Sequence, residues 1–126
     1  MSLEFELLET EEFASLVTVA SYFVLISVIK KQELIELKEI PPNNALGELL
    51  SLSVWVRVYT SLLFTITAFT RLEERERNIA AGTETGSIEP NINISLGSFI
   101  SLIGIFIVAI GIQQRAQEAP GGIIIT

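Results

Sequence analysis

The chain has 126 residues, 49% of them hydrophobic and 18% charged, with a mean hydropathy of +0.53. A soluble domain of this size carries roughly a quarter charged residues. The formal charge is −7 and every acid is Glu, a balance that argues against nucleic acid as a partner and against an electrostatic anchor on anionic lipid. Cys and His are absent and Met1 is the only methionine. That excludes disulfides, zinc sites, thiolate nucleophiles, imidazole acid–base catalysis and the usual haem and iron–sulfur ligands. No catalytic, cofactor-binding or metal-ligating residue is assigned, no cofactor is expected, and the chain is read as a non-enzyme.

The chain opens on "LEFELLETEEF", which alternates apolar residues with Glu. An interfacial helix normally carries Lys and Arg on its polar face, so this acidic one is expected to dock on protein rather than lipid. A secretory signal would begin with basic residues, and the first apolar run is therefore read as a retained span.

Three apolar runs follow. Phe13 to Ile29 holds no charge, Leu49 to Thr70 holds only Arg57, and Asn91 to Gln114 has its apolar centre between Ile94 and Ile112. A bilayer core of roughly 30 Å needs about 20 helical residues. The predicted class is all-α: one integral membrane domain with three transmembrane helices at about 13–29, 49–70 and 92–113. The competing readings are a soluble bundle of buried helices and three β-rich segments. Three helices this apolar cannot bury one another from water, and lipid requires backbone groups to be satisfied within the segment.

Short helical extensions are expected to leave the spans. One is "KKQELIELKEI", about 30–40, stopped by Pro41 and Pro42. Asn44 is the expected N-cap of the second span. The second extension, about 71–81, pairs Arg71 with Glu74 and Glu73 with Arg77 at helical spacing and stops at Gly82. A flexible loop is expected at about 82–93. The tail "APGGIIIT" is apolar after a Pro-Gly-Gly break.

Three spans put the two termini on opposite sides. Lys30, Lys31, Lys38, Arg57 and Arg115 lie toward the first-loop side, against Arg71, Arg75 and Arg77 on the other. The positive-inside rule then places the N-terminus outside and the C-terminus in the cytoplasm or its equivalent.

The helix faces nominate a partner interface. Ser53, Arg57, Thr60, Phe64, Thr67 and Arg71 form one stripe of span two, with Trp55 and Tyr59 on another face expected at the lipid headgroups. Gly97, Ser101, Gly104, Val108 and Gly111 form a small-residue stripe that permits close helix approach. Ser15, Thr18 and Tyr22 share a face of span one. The interface candidates are Arg57, Thr60, Thr67, Gly97, Ser101, Gly104 and Gly111; ordinary packing among the three spans is the competing reading of these stripes.

Arg57 lies about 10 Å inside span two, and no acid occurs in any of the three runs. Three fates are open to it: snorkelling to headgroups or to Glu48 and Glu118, pairing with another polypeptide, or lining a pore. The expected function is a non-catalytic small subunit or assembly factor of a larger membrane complex. The alternative is a homo-oligomeric, holin-like pore or channel. The partners expected are other membrane subunits or copies of itself, and the lipid bilayer. Half of a dimeric transporter and an intramembrane enzyme rank lower, because the spans hold no proline, acid, His or Cys.

Overall fold

The structure, a computed structural model, describes residues 2–43 and 45–118. It is all-helical, with α1 at Leu3–Glu36, α2 at Ala45–Ala80 and α3 at Glu89–Glu118. Each helix is long and apolar enough to cross a membrane. Asn44 and the tail from Ala119 lie outside the described residues.

The "LEFELLETEEF" segment is the first part of α1 rather than a separate element. Ser2 caps it by accepting a hydrogen bond from the Phe5 N–H at 3.2 Å. At its other end α1 stops at Glu36, four residues short of the expected extension to Ile40. The stop is a left-handed cap. Lys38 adopts φ +60°, its N–H donates to Ile35 O, and the Glu39 N–H donates to Leu34 O. The chain thus leaves the helix before the prolines require it. The same cap ends α2, where Gly82 takes φ +78° and the Thr83 N–H donates to Asn78 O.

The segment expected to be a flexible loop is tied down. The Arg75 side chain donates to Ser87 O, to Thr85 O and to the Glu84 carboxylate. Asn78 holds the other Glu84 oxygen at 3.0 Å. α3 consequently begins at Glu89, ahead of the expected start near residue 92.

The helices pack through seams with the alternating four-and-three spacing of a left-handed coiled coil. On α1, Leu7, Ala14, Ser21 and Val28 recur every seventh residue and are buried, with Glu11, Thr18 and Leu25 half-buried between them. The α2 stripe through Ser53, Arg57, Thr60, Phe64, Thr67 and Arg71 faces α1, where Thr18 Oγ1 meets Thr60 Oγ1 at 2.9 Å. A second α2 stripe, through Val54, Val58, Ser61, Thr65 and Ala68, faces α3, and the Thr65 hydroxyl lies between Ser61 O of its own helix at 2.8 Å and Ser98 O of α3 at 3.2 Å.

The two α2 stripes are one residue apart in sequence, so α1 and α3 sit about 100° apart around α2. With helix axes about 9 Å apart at each contact, α1 and α3 are then separated by about 14 Å. Consistently, no described residue of α1 comes within 8 Å, Cα to Cα, of α3. The core is correspondingly thin. Val28, Leu46, Leu50, Val54 and Ala109 form its buried cluster toward the first-loop end. The outward apolar side chains are left uncovered, among them Phe23 at 68% and Ile107 at 62% exposure.

Candidate functional site, a groove over Arg57

The angle between α1 and α3 leaves a groove with α2 as its floor. Three adjoining cavities mark it. The innermost is lined by Thr18 and Tyr22 of α1, by Arg57, Thr60, Ser61 and Phe64 of α2, and by Ser101 and Ile105 of α3. The next shares Phe64 and adds Glu11, Thr67, Arg71, Asn91 and Ser98 among others. The outermost shares Arg71 and Asn91 and ends among Glu4, Glu74, Arg75 and Glu84. Polar side chains occur along its whole length, set among apolar ones in the two inner cavities, and they dominate only at the outer end.

Arg57 lies at the inner end. Its guanidinium carbon stands 4.6 Å from the centroid of the Tyr22 ring. Its Nε is buried and has no acceptor, and among the described residues no carboxylate pairs with it. Of the three fates open to it, reaching Glu48 or Glu118 is not what the side chain does. It turns toward α1, over the Tyr22 ring. The tyrosine was legible as a neighbour of Thr18 on one face of α1; its place under the arginine was not. The signal lay in the heptad of α1, where Tyr22 follows the buried Ser21 and so flanks the seam.

Thr60 and Thr67, expected at a partner interface, are turned into the α1–α2 seam and are buried. Thr67 donates to Phe64 O at 2.9 Å. Thr18 and Thr60 share three close contacts, to Ala14 O, to Arg57 O and to each other, but have only two hydroxyl protons. Either Thr18 donates to Ala14 O and accepts from Thr60, or it donates to Thr60, which passes its proton to Arg57 O. In both arrangements the hydroxyls tie α1 to α2, and neither accepts from the Arg57 Nε.

Gly97, Gly104 and Gly111 take no part in the packing. A Cβ placed on any of them meets no atom within 4 Å. The α2-facing stripe of α3 is instead Ser95, Ser98, Leu102, Ile105, Ala109 and Ile112, one residue later around the helix. Ser101 of the small-residue stripe lines the inner cavity with Arg57. The structure therefore gathers Arg57, Thr60 and Ser101 at one cavity, puts Thr67 in the next, and sets the three glycines along the α3 flank.

The aromatic face expected at lipid headgroups divides. Trp55 packs edge-on against Phe106, ring centroids 5.6 Å apart, and its Nε1 donates to Gln113 Oε1 at 3.1 Å. Tyr59 remains 53% exposed. Trp55 follows Val54, a buried member of the α3-facing seam, and is drawn onto α3 by that neighbour.

The outer end of the groove is ionic. Arg71 pairs with Glu11 and with Glu4, the latter at 3.1 Å, and so joins α2 to the start of α1. The expected pairs Arg71–Glu74 and Glu73–Arg77 do not form among the described residues; Arg71 lies on the α1-facing stripe, and acids on the neighbouring helix take it. The acidic N-terminal segment thus docks on protein, within its own chain. The chain matches no protein-family model, no curated protein and no solved structure.

Proposed function

We propose that the chain is an integral membrane protein crossing the bilayer three times, and that it acts as a non-catalytic subunit or assembly factor of a larger membrane complex. The observation that carries this reading is the open groove over Arg57. An arginine at that depth is normally compensated by a carboxylate or by reaching water at the interface, and among the described residues no carboxylate pairs with Arg57. An arginine at a bilayer centre costs about 2.5 to 3.5 kcal/mol on insertion scales. A cation–π contact such as that with Tyr22 returns about 0.5 to 2 kcal/mol. Toward the interface the cost is smaller, and a partner chain that brings an acceptor into the groove lowers whatever part of it the ring contact leaves. The uncovered apolar faces and the absence of His, Cys and intramembrane acids support the same reading.

A homo-oligomeric pore remains the second reading, supported by the hydroxyl lining of the groove at Ser61 and Ser101. The two separate experimentally. A subunit gives no current in planar bilayers, and its deletion lowers the amount of another assembled membrane protein. A pore conducts alone, and its conductance changes in Arg57→Gln. Current from the purified chain, with no other protein affected by deletion, would overturn the subunit reading.

A further inference from the structure

We propose that the groove seats a fourth transmembrane helix, contributed by a different polypeptide, with an Asp or Glu side chain level with Arg57. The inference rests on the subunit reading above and adds the chemistry of the partner.

The first support is geometric. In a four-helix bundle each helix meets two neighbours through seams roughly a quarter-turn apart, and diagonal helices do not touch. α2 has two such seams, one residue apart, and α1 and α3 are the diagonal pair. Each of them also carries a second stripe beside its α2-facing seam, on the groove side. On α3 this is Gly97, Ser101, Gly104, Val108 and Gly111, each preceding a seam residue by one. Among the described residues, a Cβ on any of the three glycines would meet nothing within 4 Å, so a helix backbone can approach there closely. On α1, Ser15 and Tyr22 each follow a buried heptad position, Ala14 and Ser21, and both are exposed. A helix laid in the groove therefore meets a four-and-three stripe on the α3 wall, meets Ser15 and Tyr22 one heptad apart on the α1 wall, and faces Arg57, Ser61 and Phe64 across the diagonal.

The second support is charge, and it selects the occupant. A helix in the groove would enclose a guanidinium that has a buried Nε without an acceptor. A second copy of this chain cannot answer it. No acid occurs in residues 13–29, 49–70 or 91–114, and a second copy would bring a second Arg57. A phospholipid phosphate sits outside the hydrocarbon, whereas Arg57 lies about 10 Å inside span two and its guanidinium is turned onto Tyr22, about one turn from the Thr18–Thr60 contact. A carboxylate on a neighbouring helix is the group that can meet the planar fork at that level with two hydrogen bonds.

The test is photo-crosslinking of the full chain in its native membrane, with a photoreactive residue at Ser15 or at Ser101, on opposite walls of the groove. Both positions are expected to label the same second protein, within an apolar segment that contains Asp or Glu. Yield falls about tenfold in Arg57→Leu, in keeping with an interhelical polar contact in lipid, and is retained in Arg57→Lys. Arg57→Glu abolishes the adduct, and changing the labelled segment's acid to Arg restores it. Adducts with a second copy of this chain, with lipid only, or with a segment lacking an acid each overturn the proposal. If the groove labels only lipid while the chain still migrates with another protein on native gels, the fourth helix is wrong and the subunit reading stands. If the chain migrates alone or with copies of itself, both fall.

Discussion

Arg71→Gln should loosen the outer end of the α1–α2 pair, and its size can be worked from burial. Arg71 pairs with two acids whose environments differ: the Arg71 and Glu11 side chains are 27% and 30% exposed, while Glu4 is 54% exposed. The Glu4 pair is close to a surface pair, worth about 0.2 to 1 kcal/mol. The Glu11 pair has lost most of its water. At 4 Å and an effective dielectric of 20 its attraction is about 4 kcal/mol before desolvation is subtracted, which leaves a net coupling of about 1 to 2 kcal/mol. We therefore expect Arg71→Gln to cost about 2 kcal/mol, Glu11→Gln about 1.5 and Glu4→Gln about 0.5. The Arg71→Gln, Glu11→Gln double variant should be little worse than Arg71→Gln alone. The chain has no cysteine of its own, so dyes on Glu9→Cys and Glu73→Cys report α1–α2 separation during titration with sodium dodecyl sulfate. A coupling below about 0.3 kcal/mol, the level of additive sites, would show that the ion pair does not hold the helices together.

Cysteines replacing Thr18 and Thr60 should form a disulfide readily, because their hydroxyls meet at 2.9 Å. Cysteines at Tyr22 and Ser101 face each other across the groove and should not form one. The reverse pattern would contradict the placement of α2 between α1 and α3. Lys38→Gly should stabilise the end of α1 by about 0.5 to 1 kcal/mol, since Lys38 holds φ +60° and glycine adopts that conformation without a Cβ penalty; amide exchange at Glu39 measures it, and faster exchange would contradict the cap. Arg75→Gln removes three contacts to the α2–α3 connection. Limited proteolysis between Thr83 and Ile88 should then accelerate several-fold, and an unchanged rate would mean the clamp is not what orders the segment.

The helices were legible because three apolar runs of bilayer length, interrupted by a single charge at Arg57, admit no other regular structure of comparable stability. The Arg57 stripe was legible as well, since four-and-three spacing puts Ser53 through Arg71 on one face whatever that face meets. What the face meets was not: the stripe serves α1, where Thr60 meets Thr18, while the buried Thr67 hydroxyl bonds Phe64 O of its own helix. A helical stripe encodes a contact and not the identity of the contact. The helix end at Glu36 was missed because Pro41 and Pro42 announce only the latest point at which a helix can run. The left-handed cap came earlier, at a lysine, a residue type that gives no such signal. Arg75 and Asn78 ordering the second connection was similarly invisible. Turn-rich composition reports backbone freedom, and the side chains that remove it lie up to a turn and a half before the connection. Trp55 shows the same limit: the aromatic was read for its preference for interfaces, while its position beside Val54 placed it on α3.

The account stands or falls on whether this chain lives in a complex with a different protein. The most direct measurement is native mass spectrometry of the assembly extracted intact from the membrane in which the chain is made. The expected result is one copy of the 126-residue chain, or a small fixed number, bound to at least one other membrane polypeptide that dissociates from Arg57→Leu. A mass equal to the chain alone, or to an integral multiple of it with no second polypeptide, would contradict the account.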